Sequence, residues 1–104
     1  MTSAQKHLLS LTDFKPLLGE TFEFSLEGVD EKPRGILIEA KHLGIDPAPG
    51  IDRKPFSLAF QFAPGANIGQ CTLQTKHTTK GTVSMFLVPY AGDHTGWYME
   101  SNFN

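Results

Sequence analysis

A two-residue period constrains this chain more than any other feature. In ETFEFSLEG, Phe22, Phe24 and Leu26 alternate with Glu23, Ser25 and Glu27. Successive side chains of an extended strand point to opposite faces, so the spacing describes a strand with one apolar and one wet face, whereas a helix would scatter the same residues around its axis. FSLAFQF repeats the pattern, with Phe56, Leu58, Phe60 and Phe62 set against Ser57, Ala59 and Gln61. QCTLQTKH carries it through Cys71, Leu73 and Thr75, and TVSMFLVPY through Val83, Met85 and Leu87. GILIEAKHLG places Ile36, Ile38 and Ala40 on one face and Leu37, Glu39 and Lys41 on the other, and WYMESNF reads as a last strand.

Between these stretches lie GVDEKP, GIDPAPGIDRKP, APGANIG, HTTKG and AGDHTG, each with at least one turn-forming Gly, Pro, Asn or Asp. None has helical spacing. Parallel strands need crossovers of a dozen or more residues, usually helical, so the expected fold is all-β: about six antiparallel strands forming a small barrel or sandwich. The one helical signal precedes the first strand. Thr12 or Asp13 can cap a turn, Phe14, Leu17 and Leu18 follow at i, i+3, i+4 spacing, and Gly19 supplies the stop. A helix of about one and a half turns persists only when packed. It is expected to plug one end of the sheet structure. The 104 residues suit a single domain, with residues 1–10 as a flexible N-terminal segment.

The run Met85–Val88 is apolar at every position. With Met85 and Leu87 inward, Phe86 and Val88 project from the opposite face and call for cover from another element or another chain. Pro89 has no N–H to give to a ladder, so pairing is expected to loosen or finish there.

Charge and cysteine usage exclude several classes of function. Nine Lys/Arg are spread against eleven Asp/Glu, with no basic block to neutralise a row of phosphates, so nucleic acid is not an expected partner. No stretch approaches the ~20 apolar residues of a membrane-spanning helix, and the start lacks a signal-peptide core, which predicts a soluble, cytoplasmic chain. Cys71 is the single cysteine, so no intrachain disulfide forms.

The residues that invite chemistry do not assemble into a reaction class. His7, His42, His77 and His94 lack metal-ligand spacing and read as loop histidines. Cys71 has no nucleophile elbow around it and reads as a small buried hydrophobe. Glu23 and Glu27 fall on the wet face of a strand as solubilising charges. The glycine-rich turns match no phosphate-binding pattern. GIDPAPGIDRKP is a stiffened loop suited to presentation or mere connection. We therefore assign no catalytic, cofactor-binding or metal-ligating residue. Tyr90, Trp97 and Tyr98 flank the AGDHTG turn, where hairpin pairing brings them close, and form the candidate interaction surface.

The opening LTDFKPLLGETFEFSLEG, with its Phe-x-Pro-Leu-x-Gly motif, the strands FSLAFQF and QCTLQTKH, the Phe-Leu-Val-Pro of FLVPYAG and the terminal Phe-Asn occur in one order from about Leu11 to Asn104. This combination resembles a family of small bacterial domains of unknown function. The resemblance implies an all-β domain and an association of some members with phage-tail-like or tail-collar proteins. It carries no catalytic or ligand residue onto this chain. Asn102 departs from it, at a position expected to be apolar. The expected function is a non-enzymatic protein-interaction or assembly module with an unknown protein partner, which leaves a homo-oligomer open. The alternative is a small barrel that binds an apolar ligand in an incompletely filled interior.

Overall fold

The structure is a computed structural model and describes residues 9–26, 28, 30, 32–46, 49–50, 54–64, 69–77 and 81–103. A short helix, α1 (Leu11–Phe14), runs into a 3-10 turn (Lys15–Leu17) and is followed by six strands: β1 (Thr21–Ser25), β2 (Arg34–His42), β3 (Phe56–Phe62), β4 (Cys71–Thr75), β5 (Val83–Asp93) and β6 (Gly96–Phe103). All neighbours are antiparallel, and the strands close into a barrel in the order β1-β2-β3-β6-β5-β4. The chain thus forms two three-stranded meanders joined along β3–β6 and β1–β4. The first seam is long, with partners from Phe56↔Phe103 to Phe62↔Trp97. The second is held by two pairs, Phe24↔Thr75 and Ser25↔Gln74.

The interior is aromatic because the period-two strands turn their phenylalanines inward. Phe22, Phe24, Phe56 and Phe60 are fully buried, with Leu37, Leu58, Leu73, Leu87 and Met99 packed among them. Phe60 at the middle of β3 meets Phe22 and Phe24 edge-on, each with ring centroids 5.2 Å away, the geometry that ring quadrupoles favour. At one end of the barrel Phe14 of α1 lies 5.8 Å from Phe56 and 5.9 Å from Phe103, which itself stacks on Phe56 at 4.7 Å. The helix therefore closes that end as its spacing predicts.

Its start differs from the expectation. Ser10, not Thr12 or Asp13, is the N-cap, and the Asp13 carboxylate at the third helical position accepts the Ser10 N–H at 2.7 Å. Leu11 and Phe14 are the buried pair, Leu17 packs against the core and Leu18 is exposed. Gly19 at φ 87° ends the helical segment, in a region where a Cβ is penalised, and its N–H bonds to Leu37 in β2. Of the segment 1–10, Leu9 also packs against the core, while residues 1–8 lie outside the described residues.

Two bulges alter what a strict alternation predicts. In β2, Leu37 pairs with Phe60 and Glu39 with Ala59, so Ile38 is the extra residue. The face assignment is reversed up to the bulge, where Leu37 is buried and Ile36 and Ile38 are 40% and 42% exposed, and holds beyond it, where Ala40 packs against the core. In β5, Pro89 pairs with Met99 and Ala91 with Tyr98, leaving Tyr90 as the extra residue. Pairing loosens around Pro89 as expected, without finishing there. The β4 ladder ends at Cys71↔Leu87, before the proline, whereas the β6 ladder is carried past it by the bulge to Asp93↔Gly96. Ser57 and Ala59 point outward yet are 5% and 4% exposed, because taller cross-strand neighbours, Lys41 and Asn102 beside Ser57 and Glu39 and Glu100 beside Ala59, flank them on both sides. Asn102 is exposed on that outer wall, and the strand is nonetheless covered to its end on the inside, where Ser101 is buried and Phe103 stacks.

Candidate interaction surface

The β5–β6 hairpin sets the geometry at the end of the barrel opposite α1. Its two-residue connection, His94–Thr95, is fixed by Asp93, whose Oδ1 accepts the Thr95 hydroxyl at 2.6 Å, the Thr95 N–H at 2.8 Å and the Gly96 N–H at 3.2 Å. Three donors on one carboxylate oxygen favour its ionised form, and the hydroxyl of Thr95 contributes most to holding the Asp93 pKa below its ordinary value. The Thr95 hydroxyl also lies 2.8 Å from the Tyr98 hydroxyl, and the Gln61 side-chain amide donates to the Thr95 carbonyl at 3.1 Å and to the Tyr98 hydroxyl at 3.3 Å. The Tyr98 hydroxyl is thus anchored from β3 and from the hairpin turn.

The three aromatic residues proposed from the sequence separate between the two faces. Trp97 and Tyr98 are consecutive, so one must point in and the other out. Trp97 packs against the core at the hairpin end, lying over Gly92, where a Cβ would come within 2.5 Å of the indole. Gly92 is needed for that approach. Tyr98 faces outward, and Tyr90 puts a second ring beside it at a centroid distance of 6.2 Å and an interplanar angle of 42°. Tyr90 is 50% exposed. Tyr90 is outward by the alternation that runs from buried Leu87, and the bulge shifts only the residues beyond it, so that Ala91 rather than Tyr90 lies opposite Tyr98.

Register extends the surface across four strands. One outward row runs Ile36–Gln61–Tyr98 and meets β5 at Ala91, next to the Tyr90 bulge, and the adjoining row runs Glu39–Ala59–Glu100–Val88. Phe86, 50% exposed, continues the outward face of β5 beyond Val88, opposite Thr72. The carboxylates of Glu39 and Glu100 act on Tyr90: burial is the main cause that raises its phenol pKa, and the two negative charges, with Tyr98, raise it further. Glu39 also forms an exposed ion pair with Lys41 at 3.7 Å. The residues missed by sequence reasoning are Glu39, Glu100 and the outward isoleucines. Their membership depends on the β2 bulge and on β3 pairing with β6, neither of which is written in the local pattern.

The other residues considered from the sequence lie elsewhere. His42 ends β2 opposite Phe56 and is exposed, and His94 is exposed in the hairpin turn. His77 lies against Phe22 at 4.4 Å and bonds to Glu20 at 2.6 Å, tying the end of β4 to the start of β1 where their ladder has stopped. Beside it a groove of about 400 Å³ opens along that seam, lined by Thr21, Ser25, Lys32, Gln74 and Lys76 among others. Cys71 is half-buried against the core, and burial raises its thiol pKa, which disfavours the thiolate. Glu23 makes an exposed pair with Arg34 at 3.3 Å. Among the described residues no three His, Cys, Asp or Glu side chains converge in a way that could hold a metal ion. No described helix is long and apolar enough to cross a membrane. His7, Glu27 and parts of the 44–55 loop lie outside the described residues.

Over residues 9–103 the chain matches the family described as Domain of unknown function (DUF6916). It belongs to that family. The opening motif and the Phe-Leu-Val-Pro strand that carry the sequence resemblance both fall inside the matched span. No curated protein and no solved structure matches this domain of unknown function.

Proposed function

We propose that this domain is a non-enzymatic protein-interaction or assembly module, accessory to a larger structure of the phage-tail-like kind, and that it docks through the outer wall around Tyr90 and Tyr98. The observation that carries the reading is a half-exposed tyrosine at a β-bulge, set beside a second tyrosine that is itself hydrogen-bonded to Thr95 and Gln61. Aromatic side chains held this way offer large contact area at small entropic cost and are enriched where proteins meet. Edge pairing is a poorer route. Strand closure removes most free edges, and along Pro89–Asp93, where β5 has β6 on one side only, the proline and the bulge oppose pairing with a further strand. Binding of an apolar ligand inside the barrel is likewise less supported, because inward positions from every strand are occupied by packed Phe, Leu and Met side chains.

The test uses Tyr90→Ser, which removes exposed surface and no core contact. Wild type and variant are compared by light scattering over a range of concentrations and by affinity isolation from the native host. A concentration-dependent mass or a stoichiometric companion that is lost in the variant, with an unchanged melting temperature, supports the reading. A wild-type chain that stays monomeric and alone, or a companion retained equally by the variant, refutes it.

A further inference from the structure

Resting on that reading, we infer that the partner engages this wall with a basic side chain, an arginine flanked by apolar residues. Three independent features converge on it. The first is charge: Glu39 and Glu100 stand one strand either side of Ala59 on the outer wall, and strands in a sheet are spaced ~4.8 Å apart, so their backbones are separated by roughly 10 Å. Between them β3 contributes only the Ala59 methyl. Lys41 neutralises part of Glu39, whereas Glu100 has no ion pair among the described residues, and Asp93 adds a further carboxylate at the hairpin end. The wall therefore carries a net negative charge beside its rings.

The second feature is the ring pair. A guanidinium is planar, weakly hydrated and stacks on aromatic faces, and tyrosine presents a negative face to a cation. Tyr90 offers half of its surface to solvent, and both glutamates are close enough to bias the ionisation of its phenol. A cation placed on Tyr90 would meet the ring and lie in the field of the two carboxylates. An ammonium is satisfied by such a site too, but its compact hydration shell gains less from the ring than a guanidinium does. The third feature is the apolar border: Ile36 and Ile38 on β2, and Val88 and Phe86 on β5, are outward on either side of this acidic and aromatic centre. They suit the apolar neighbours of the basic residue. An acidic or phosphorylated partner would meet Glu39 and Glu100 with like charge.

The experiment is an amide NMR titration of the intact chain with three capped pentapeptides: Gly-Leu-Arg-Leu-Gly, Gly-Leu-Glu-Leu-Gly and Gly-Leu-Ala-Leu-Gly. The expected result is a saturable shift of the Tyr90, Tyr98, Ala59 and Glu100 amides with the arginine peptide alone, weakened by added salt. In a Glu39→Gln/Glu100→Gln variant the affinity falls, by ~2–5-fold for each exposed charge removed. Tyr90→Leu, which keeps apolar area and loses the ring, falls as well, while the fold is checked by unchanged distant amides. Equal shifts with the alanine peptide would leave the docking surface standing and overturn its basic partner. Shifts of these amides with protein concentration alone would assign the wall to a second copy and likewise overturn the inference. Absence of localised shifts with every peptide overturns it outright, and the host isolation with Tyr90→Ser then judges the interaction reading separately.

Discussion

Removing the Phe60 ring should cost more than any other single truncation along β3. Phe60 is fully buried at the centre of that strand, paired with Leu37 on one side and Met99 on the other. Truncating a buried Phe to Ala costs about 3–5 kcal/mol through lost transfer energy and the cavity left behind. The two edge-on contacts with Phe22 and Phe24, each worth about 0.5–1.5 kcal/mol beyond burial, place Phe60→Ala near the top of that range, at about 4–5 kcal/mol. A domain of this length has roughly 5–15 kcal/mol in all. At about 4–8 °C per kcal/mol for a small domain, the melting temperature should fall by about 16–40 °C. The assay is chemical denaturation with thermal melting followed by circular dichroism. Because Phe60→Ala can leave too little folded protein to measure, Phe60→Leu serves as the graded variant, with an expected loss of about 1–2 kcal/mol. A loss below about 1 kcal/mol for the alanine variant would mean that the ring is not packed on both sides, and the filled interior would be wrong.

Two further outcomes test the hairpin. Gly92→Ala inserts a methyl within 2.5 Å of the Trp97 indole and should destabilise by about 1–3 kcal/mol, the range for overpacking, with a change in tryptophan emission; unchanged emission and melting would remove Trp97 from that position. Asp93 has a carboxyl pKa depressed below its ordinary 3.8, chiefly by the Thr95 hydroxyl, so the stability it contributes is present above that ordinary value and is lost as pH falls through the depressed one. The acid limb of the stability curve should therefore be shallower in Asp93→Asn, and carboxyl NMR of the wild type should report the low titration directly. An Asp93 that titrates at or above its ordinary value would break the turn geometry described for Thr95 and Gly96.

How much of this was legible in the sequence follows from where side-chain alternation survives. Phe22 and Phe24, the four inward residues of β3, and Leu73, Val83, Met85 and Leu87 keep an unbroken two-residue period, and all of them are inside. The faces of Ile36, Leu37 and Ile38 are not legible, because a bulge adds one residue to one strand and nothing in GILIEAKHLG marks which residue is extra. Tyr90 and Tyr98 are legible as a pair flanking the hairpin, whereas AGDHTG reads as a turn throughout although β5 pairs with β6 as far as Asp93, because the bulge carries the ladder past the proline. The burial of Ser57 and Ala59 comes from neighbours on β2 and β6 that no local pattern reveals. The gathering of Tyr90, Tyr98, Glu39 and Glu100 likewise required β3 to lie between β2 and β6, which is a property of strand order.

Closure of the barrel over a filled interior leaves the outer wall as the proposed docking surface, and the β1–β4 seam is where closure is held by two pairs among the described residues. The Phe24 N–H points to β2, where it donates to the Pro33 carbonyl, so Phe24 and Thr75 form the closely approached, non-hydrogen-bonded kind of antiparallel pair, with Cα atoms about 4.5 Å apart. A nuclear Overhauser measurement between the Hα protons of Phe24 and Thr75 tests this directly. A strong cross-peak, comparable with those of close pairs within the β3–β6 seam, is the predicted result. Its absence while the other five seams give theirs would mean an open sheet, and the account built on a closed barrel would fall.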